Sequence, residues 1–134
     1  MTGLRARLEA IEADIANLDR DAIVNAANSA LMPGGGVDGA IRRKAGPDLE
    51  EALYEIGRCE TGQAVVTPGF RLPARFIIHT VAPVWGLMER GIQERLLRDC
   101  YDSVLKRADE KQIRTLAFPG IGRSEEHTSE LQSH

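Results

Sequence analysis

The sequence is poor in the features that mark several large functional classes. Its 134 residues include only two cysteines, Cys59 and Cys100, at no spacing used by zinc sites, dithiol redox centres or disulfide frameworks. They are expected to be free buried thiols of a reducing compartment, the cytoplasm. Aromatic residues make up 4% of the chain, and 17 basic against 20 acidic side chains give a net charge of −3. Both shortages argue against nucleic acid as a partner, since that role needs stacking surfaces and phosphate-neutralising charge. No apolar run approaches the roughly 18 residues that span a bilayer, and Met1–Ala10 lacks the apolar centre of a signal peptide. No membrane partner is expected. Internal repeats and Ser/Gly/Pro-rich linkers are missing as well, which leaves one small domain.

What is present has ordinary globular composition, 43% hydrophobic and 28% charged. Alternation over Arg7–Ile11 predicts a strand at an edge or on a half-buried face, and Ile23 and Val24 centre a buried strand over Ala22–Ala27. Asp38–Ala45 reads as a short helix with Asp38 placed to cap it. Pro47–Ile56 follows as a second helix, with Leu49, Ala52, Leu53 and Ile56 at i, i+3, i+4 and i+7. Strands are expected over Ala64–Val66 and Arg75–Val81, a long amphipathic helix over Glu89–Ala108, and a buried strand over Ile113–Phe118. Strands separated by helices predict an α/β domain with helices covering a mostly parallel sheet.

Chemistry concentrates between the second strand and the first helix. Four of the thirteen glycines, Gly34, Gly35, Gly36 and Gly39, fall within six positions there. Without Cβ atoms the backbone N–H groups can approach a ligand closely, and the start of a helix adds unpaired donors and the positive end of its dipole. An anion, and a diphosphate above all, is the fitting guest. There is no Gly-Lys-Ser/Thr, so a P-loop is excluded. Gly34-x-Gly36-x-x-Gly39 formally matches the dinucleotide fingerprint, but Asn28–Pro33 intervene after the strand and Glu60 does not end one, which argues against a Rossmann site. Asn25 and Asn28 can form a turn or bond sugar hydroxyls. Asp38 can cap its helix or orient a water, and Asp14, followed by Ile15, offers a carboxylate to an exocyclic amine.

The blocks Val24-Asn25-Ala26-Ala27-Asn28, Gly34-Gly35-Gly36-Val37-Asp38-Gly39-Ala40-Ile41, Ala45-Gly46-Pro47, Cys59-Glu60-Thr61-Gly62-Gln63-Ala64 and Ile78-His79-Thr80-Val81-Ala82-Pro83-Val84-Trp85 resemble the macrodomain family. The closest type is the bacterial O-acetyl-ADP-ribose deacetylase and mono-ADP-ribosyl hydrolase, and the resemblance runs from about Leu8 to Gly122. It implies a three-layer α/β/α domain around a mixed, mostly parallel sheet. It also implies an ADP-ribose site in which Asp14 holds the adenine amine and Ile15 gives a backbone contact. Asn28 would bind hydroxyls of the distal ribose, Asn25 would be a further ligand-binding residue, and Gly36 and Val37, with Gly34 and Gly35 in support, would form the first diphosphate loop. Asp38 would orient or deprotonate the attacking water, with Asn28 beside it in the catalytic pair. The implied reaction is metal-free and cofactor-free hydrolysis of esters at the distal ribose, either O-acetyl-ADP-ribose or mono-ADP-ribose on protein carboxylates. Ester cleavage suits a site that positions one water beside one weak base.

Departures accompany the resemblance. Ala13 and Ala82 stand where the family usually has Gly, Ala16 where it has Thr, and Arg42 where His is common. His79, in an apolar strand, and Trp85 read as packing residues. From Arg123 the chain holds one apolar residue in twelve, and its codons can spell a string resembling a sequencing-library adapter. Residues 123–134 are therefore expected to be an artefactual or solvated tail, leaving 1–122 as a macrodomain that lacks its last strand and helices. Without that strand, Arg7–Ile11 is expected to have no partner and the chain to fold poorly and be inactive. Two alternative functions remain: an ADP-ribose reader without turnover, and an RNA-binding module.

Overall fold

The computed structural model describes residues 8–10, 14–84, 86 and 88–119. The expectations for Ala13, Trp85, the Gly120-Ile121-Gly122 loop and the tail lie outside the described residues. Five strands and three helices follow in the order β1 (Leu8–Ala10), β2 (Ala22–Ala26), α1 (Gly36–Ala45), α2 (Pro47–Ile56), β3 (Ala64–Pro68), β4 (Phe76–Thr80), α3 (Arg90–Glu110) and β5 (Leu116–Phe118). A 3-10 turn, Ile15–Asn17, joins β1 to β2. The strand order is β1-β5-β2-β4-β3, with every pair parallel except the antiparallel β3–β4 pair at one edge.

One expectation is corrected here. The first strand has a partner: Leu8, Glu9 and Ala10 pair in parallel with Leu116, Ala117 and Phe118. The sequence shows each strand's own pattern but not which strand lies beside it, and parallel neighbours can be far apart along the chain.

The period-two alternation of the strands sorts their side chains onto two faces. Ile23 of β2 and Ile77 of β4 point to one face and pack with Ile15, Ile41, Leu49 and Leu53 under α1 and α2. Ala22, Val24 and Ile78 point to the other and meet Cys100, Val104 and Ala108 of α3. The result is the expected three-layer α/β/α arrangement. Both cysteines are free and buried, and burial pushes both thiols up from the ordinary thiol range. Among the described residues, no helix is long and apolar enough to cross a membrane.

Helix α2 begins at Pro47, as its pattern predicts, whereas α1 begins two residues before the expected start. Its cap is Gly35, so Asp38 lies inside the first turn instead of capping it. The physical reason is the left-handed backbone of Gly36, φ 56°, which turns the chain into the helix early.

Candidate functional site

Asp38 is the hub of the site. It is 5% exposed, and its carboxylate accepts three hydrogen bonds. Asn25 Nδ2 donates to Oδ1 at 2.7 Å, while the Gly34 N–H at 2.7 Å and Arg42 Nε at 2.9 Å donate to Oδ2. The Gly34 bond folds the glycine loop back onto the first turn of α1, much as an acidic side chain does in a capping box. Gly39 is needed for the same closure: a Cβ there would lie 2.9 Å from the Gly34 carbonyl oxygen.

Arg42 sits one turn after Asp38 on the same helix face and is 6% exposed. Its NH2 group also donates to the Leu31 carbonyl at 3.0 Å, which ties the incoming loop to the helix. Two openings flank Arg42 on the side of α1 and α2, of about 380 and 350 Å³. They share Pro33, Arg42 and Glu50 as walls, and neither is lined by Asp14, Asn25, Asn28 or Val37.

From Asn25 the polar chain continues through the sheet. Asn25 and His79 are register partners on β2 and β4, both fully buried. Asn25 Nδ2 lies 3.1 Å from His79 Nδ1, and His79 Nε2 lies 2.9 Å from Thr67 Oγ1 on β3. Burial holds the imidazole far below its ordinary value, at about 3, with the Arg42 cation adding to the effect. Asn25 Oδ1 is buried and has no hydrogen-bond partner among the described residues.

Gly35 caps α1 without a side-chain bond, and a Cβ at Gly35 would meet nothing within 4 Å. The N–H groups of the first turn at Gly36 and Val37 therefore open a helix with no side chain laid across them. Asn28 stands beside this loop, but its amide is engaged: Nδ2 donates to the Met32 carbonyl at 2.8 Å, and Oδ1 accepts from the Met32 N–H at 3.0 Å. Its side chain shapes the turn and keeps one N–H and one lone pair for a ligand.

Asp14 caps the 3-10 turn that Ile15 begins. Asp14 is exposed and accepts from the Ala16 N–H at 3.1 Å and from Asn17 Nδ2 at 2.9 Å. The Ile15 side chain is part of the core, so only its backbone can face a ligand. Lys44 Nζ, in the last turn of α1, donates to Asn17 Oδ1. Asn17 of the turn is thus tied to the helix that the glycine loop opens.

The structure therefore gathers Asn25, Asn28, Gly34, Gly35, Gly36, Val37 and Asp38 around the start of α1 and places Asp14 and Ile15 on a separate turn, tied to that helix through Asn17. Sequence reasoning missed Thr67 altogether and gave Arg42 and His79 no part in the site. The i, i+4 spacing of Asp38 and Arg42 was a usable signal. So were Asn25 and His79, polar positions in largely apolar strands.

The profile of the Macro domain family matches residues 24–126. The chain is 58% identical over 114 residues to a "Macro domain-containing protein" of Chlorobaculum tepidum, covering 85% of this chain and 66% of that one. It is 48% identical over 122 residues to an "O-acetyl-ADP-ribose deacetylase" of Escherichia fergusonii, covering 88% of this chain and 68% of the relative. A solved macrodomain of Oceanobacillus iheyensis with ADP is 43% identical with a TM-score of 0.80, over 85% of this chain and 63% of that one. The chain spans about two thirds of the length of the curated relatives it matches: 66%, 66% and 61% of the first three.

Proposed function

The chain belongs to the macro domain family, and on that premise we propose that it binds ADP-ribose and hydrolyses esters at the distal ribose. The observation that carries the reading is the glycine loop opening directly into α1, with the Gly36 and Val37 donors uncrowded and Gly34 latched by Asp38. A diphosphate is the group such a loop accommodates. Asp14, with a carboxylate only partly used by its turn, is assigned to the adenine amine, and the Ile15 backbone to the ring beside it. Asn28, whose side chain is exposed, is assigned to hydroxyls of the distal ribose, and Asn25, fully buried, supports that end of the site through its bond to Asp38.

Asp38 is assigned to the attacking water. A carboxylate offers about four acceptor positions, and three are taken, which leaves one on Oδ1. That arrangement orients a water better than it withdraws its proton, and a substrate phosphate can share the proton. The water oxygen adds to the acyl carbon, the ribose oxygen leaves with a proton, and the products are the free acid and ADP-ribose. The substrates are the acetyl ester and the ester of a protein carboxylate, in keeping with a relative that carries the name O-acetyl-ADP-ribose deacetylase.

Two measurements on the same preparation test this. Calorimetry is expected to give saturable ADP-ribose binding, and O-acetyl-ADP-ribose is expected to release acetate. The three bonds that Asp38 already accepts favour a second reading, a reader without turnover; binding with no acetate release establishes that one instead. Gly36→Ala is expected to weaken ADP-ribose binding about tenfold, because a residue with a Cβ relaxes out of the left-handed backbone in the free chain and must regain it, at about 1–2 kcal/mol, to present the loop to the ligand. An unchanged Kd removes the loop from the site.

A further inference from the structure

We propose that His79 is the positioning residue of this site: its imidazole, protonated on Nε2 and bare on Nδ1, fixes the Asn25 amide that in turn aims the Asp38 carboxylate. The proposal rests on the reading of Asp38 as the group that orients the water. Asp38 is paired with Arg42 and accepts, so the Asn25 atom 2.7 Å from Oδ1 is the amide nitrogen. That same NH2 group faces His79 Nδ1 at 3.1 Å. Both of its hydrogens are then committed, and Nδ1 must be the acceptor. A neutral imidazole with a bare Nδ1 carries its proton on Nε2, where Thr67 Oγ1 waits at 2.9 Å. One protonation state therefore satisfies four residues from β2, β3, β4 and α1 at once.

The alternative tautomer has a definite cost. A proton on Nδ1 would face the Asn25 NH2 group donor to donor. The amide would turn away, and Asp38 would lose the bond that fixes the rotation of its carboxylate about the Arg42 and Gly34 contacts. All three links, Asn25, His79 and Thr67, are buried, so no solvent can replace a missing partner. A ribose-bound water held by Asp38 would then be misplaced, and small misplacements of a reacting group can cost on the order of 100-fold in rate.

The test uses the full chain and has a spectroscopic and a kinetic arm. In protein labelled with 15N-histidine, with the His79 resonances assigned by their loss in His79→Asn, the expected pattern is a protonated Nε2 and an unprotonated Nδ1. A proton on Nδ1 overturns the proposal, whatever the protein binds. In the kinetic arm, His79→Leu keeps the volume but removes both bonds. It is expected to lower kcat for the acetyl ester by about 10–100-fold while changing ADP-ribose affinity by less than about threefold. His79→Asn places an amide oxygen where Nδ1 stood and is expected to recover most of that loss. Thr67→Val, nearly isosteric, strips the Nε2–H of its acceptor and serves if the Leu variant does not fold; its expected fall in kcat is smaller and of the same kind. An unchanged kcat in His79→Leu, or no recovery in His79→Asn, also overturns the proposal. If the parent chain binds no ADP-ribose, the functional reading fails and the 15N arm alone decides the tautomer.

Discussion

Replacing Asp38 by alanine is expected to lower the free energy of unfolding by about 3–5 kcal/mol, the range for breaking a buried ion pair from one side. Arg42, now 6% exposed, would keep only the Leu31 carbonyl as a partner among the described residues. The Gly34 N–H and one hydrogen of the Asn25 amide would lose their acceptor as well. The double variant Asp38→Ala/Arg42→Met is expected to regain much of the loss, since apolar side chains can replace a buried pair at little cost. Urea unfolding of the parent, both single variants and the double variant measures the coupling. A loss below about 1 kcal/mol for Asp38→Ala, the value of an exposed pair, would show that the carboxylate holds nothing together. The result also bears on enzymology. A fall in turnover for Asp38→Ala mixes chemistry with unfolding, and Asp38→Asn, which keeps shape and some bonds, is the cleaner probe of the water-orienting role.

Acid is expected to destabilise this domain through one imidazole. His79 is held neutral down to about pH 3 in the folded chain, whereas in the unfolded chain it takes a proton near the ordinary value of 6.5. The unfolded state therefore binds more protons between these two values. The contribution of this group is complete above pH 6.5 and is lost as the pH falls towards 3, by up to about 1.4 kcal/mol per pH unit. Thermal unfolding at pH 7 and pH 5 measures the slope. His79→Asn, which has no such proton to gain, is expected to show a clearly shallower decline. Parallel declines in the two proteins mean that the imidazole titrates alike in both states.

The parts of the fold that rest on local patterning could be read from the sequence. Helix α2 is bounded by Pro47 and by its apolar stripe, and β2, β4 and β5 carry Val, Ile and Leu in short runs. The start of α1 was misplaced because an aspartate before an apolar helical pattern looks like a cap. Only the φ of Gly36 shows that the helix has already begun. The pairing of β1 with β5 was out of reach for another reason: register is a relation between segments, and neither segment encodes its partner's address. The site divides in the same way. The glycine loop and its asparagines are contiguous in sequence and were found there. The link from Asn25 through His79 to Thr67 runs across three strands and exists only once β2, β4 and β3 lie side by side. Asn28 was legible as a residue of interest, but the bonds it makes to Met32 depend on the path of the loop.

The pairing of β1 with β5 also has a temporal consequence. Nearly the whole described chain separates these two strands, whereas β3 and β4 are sequential neighbours and β2 precedes them with only two helices between. Closing long loops is slow compared with closing short ones. On a ribosome, every residue of the Asp38–Asn25–His79–Thr67 chain is synthesised before β5 emerges. The expected order of assembly is therefore the β3–β4 hairpin, then β2 with α1, and last the docking of β5 between β2 and β1. Pulse-labelled hydrogen exchange during refolding would show amides of β4 protected before those of β1. The polar core of the site is then an early product of folding, and the first strand is the last piece to be fastened.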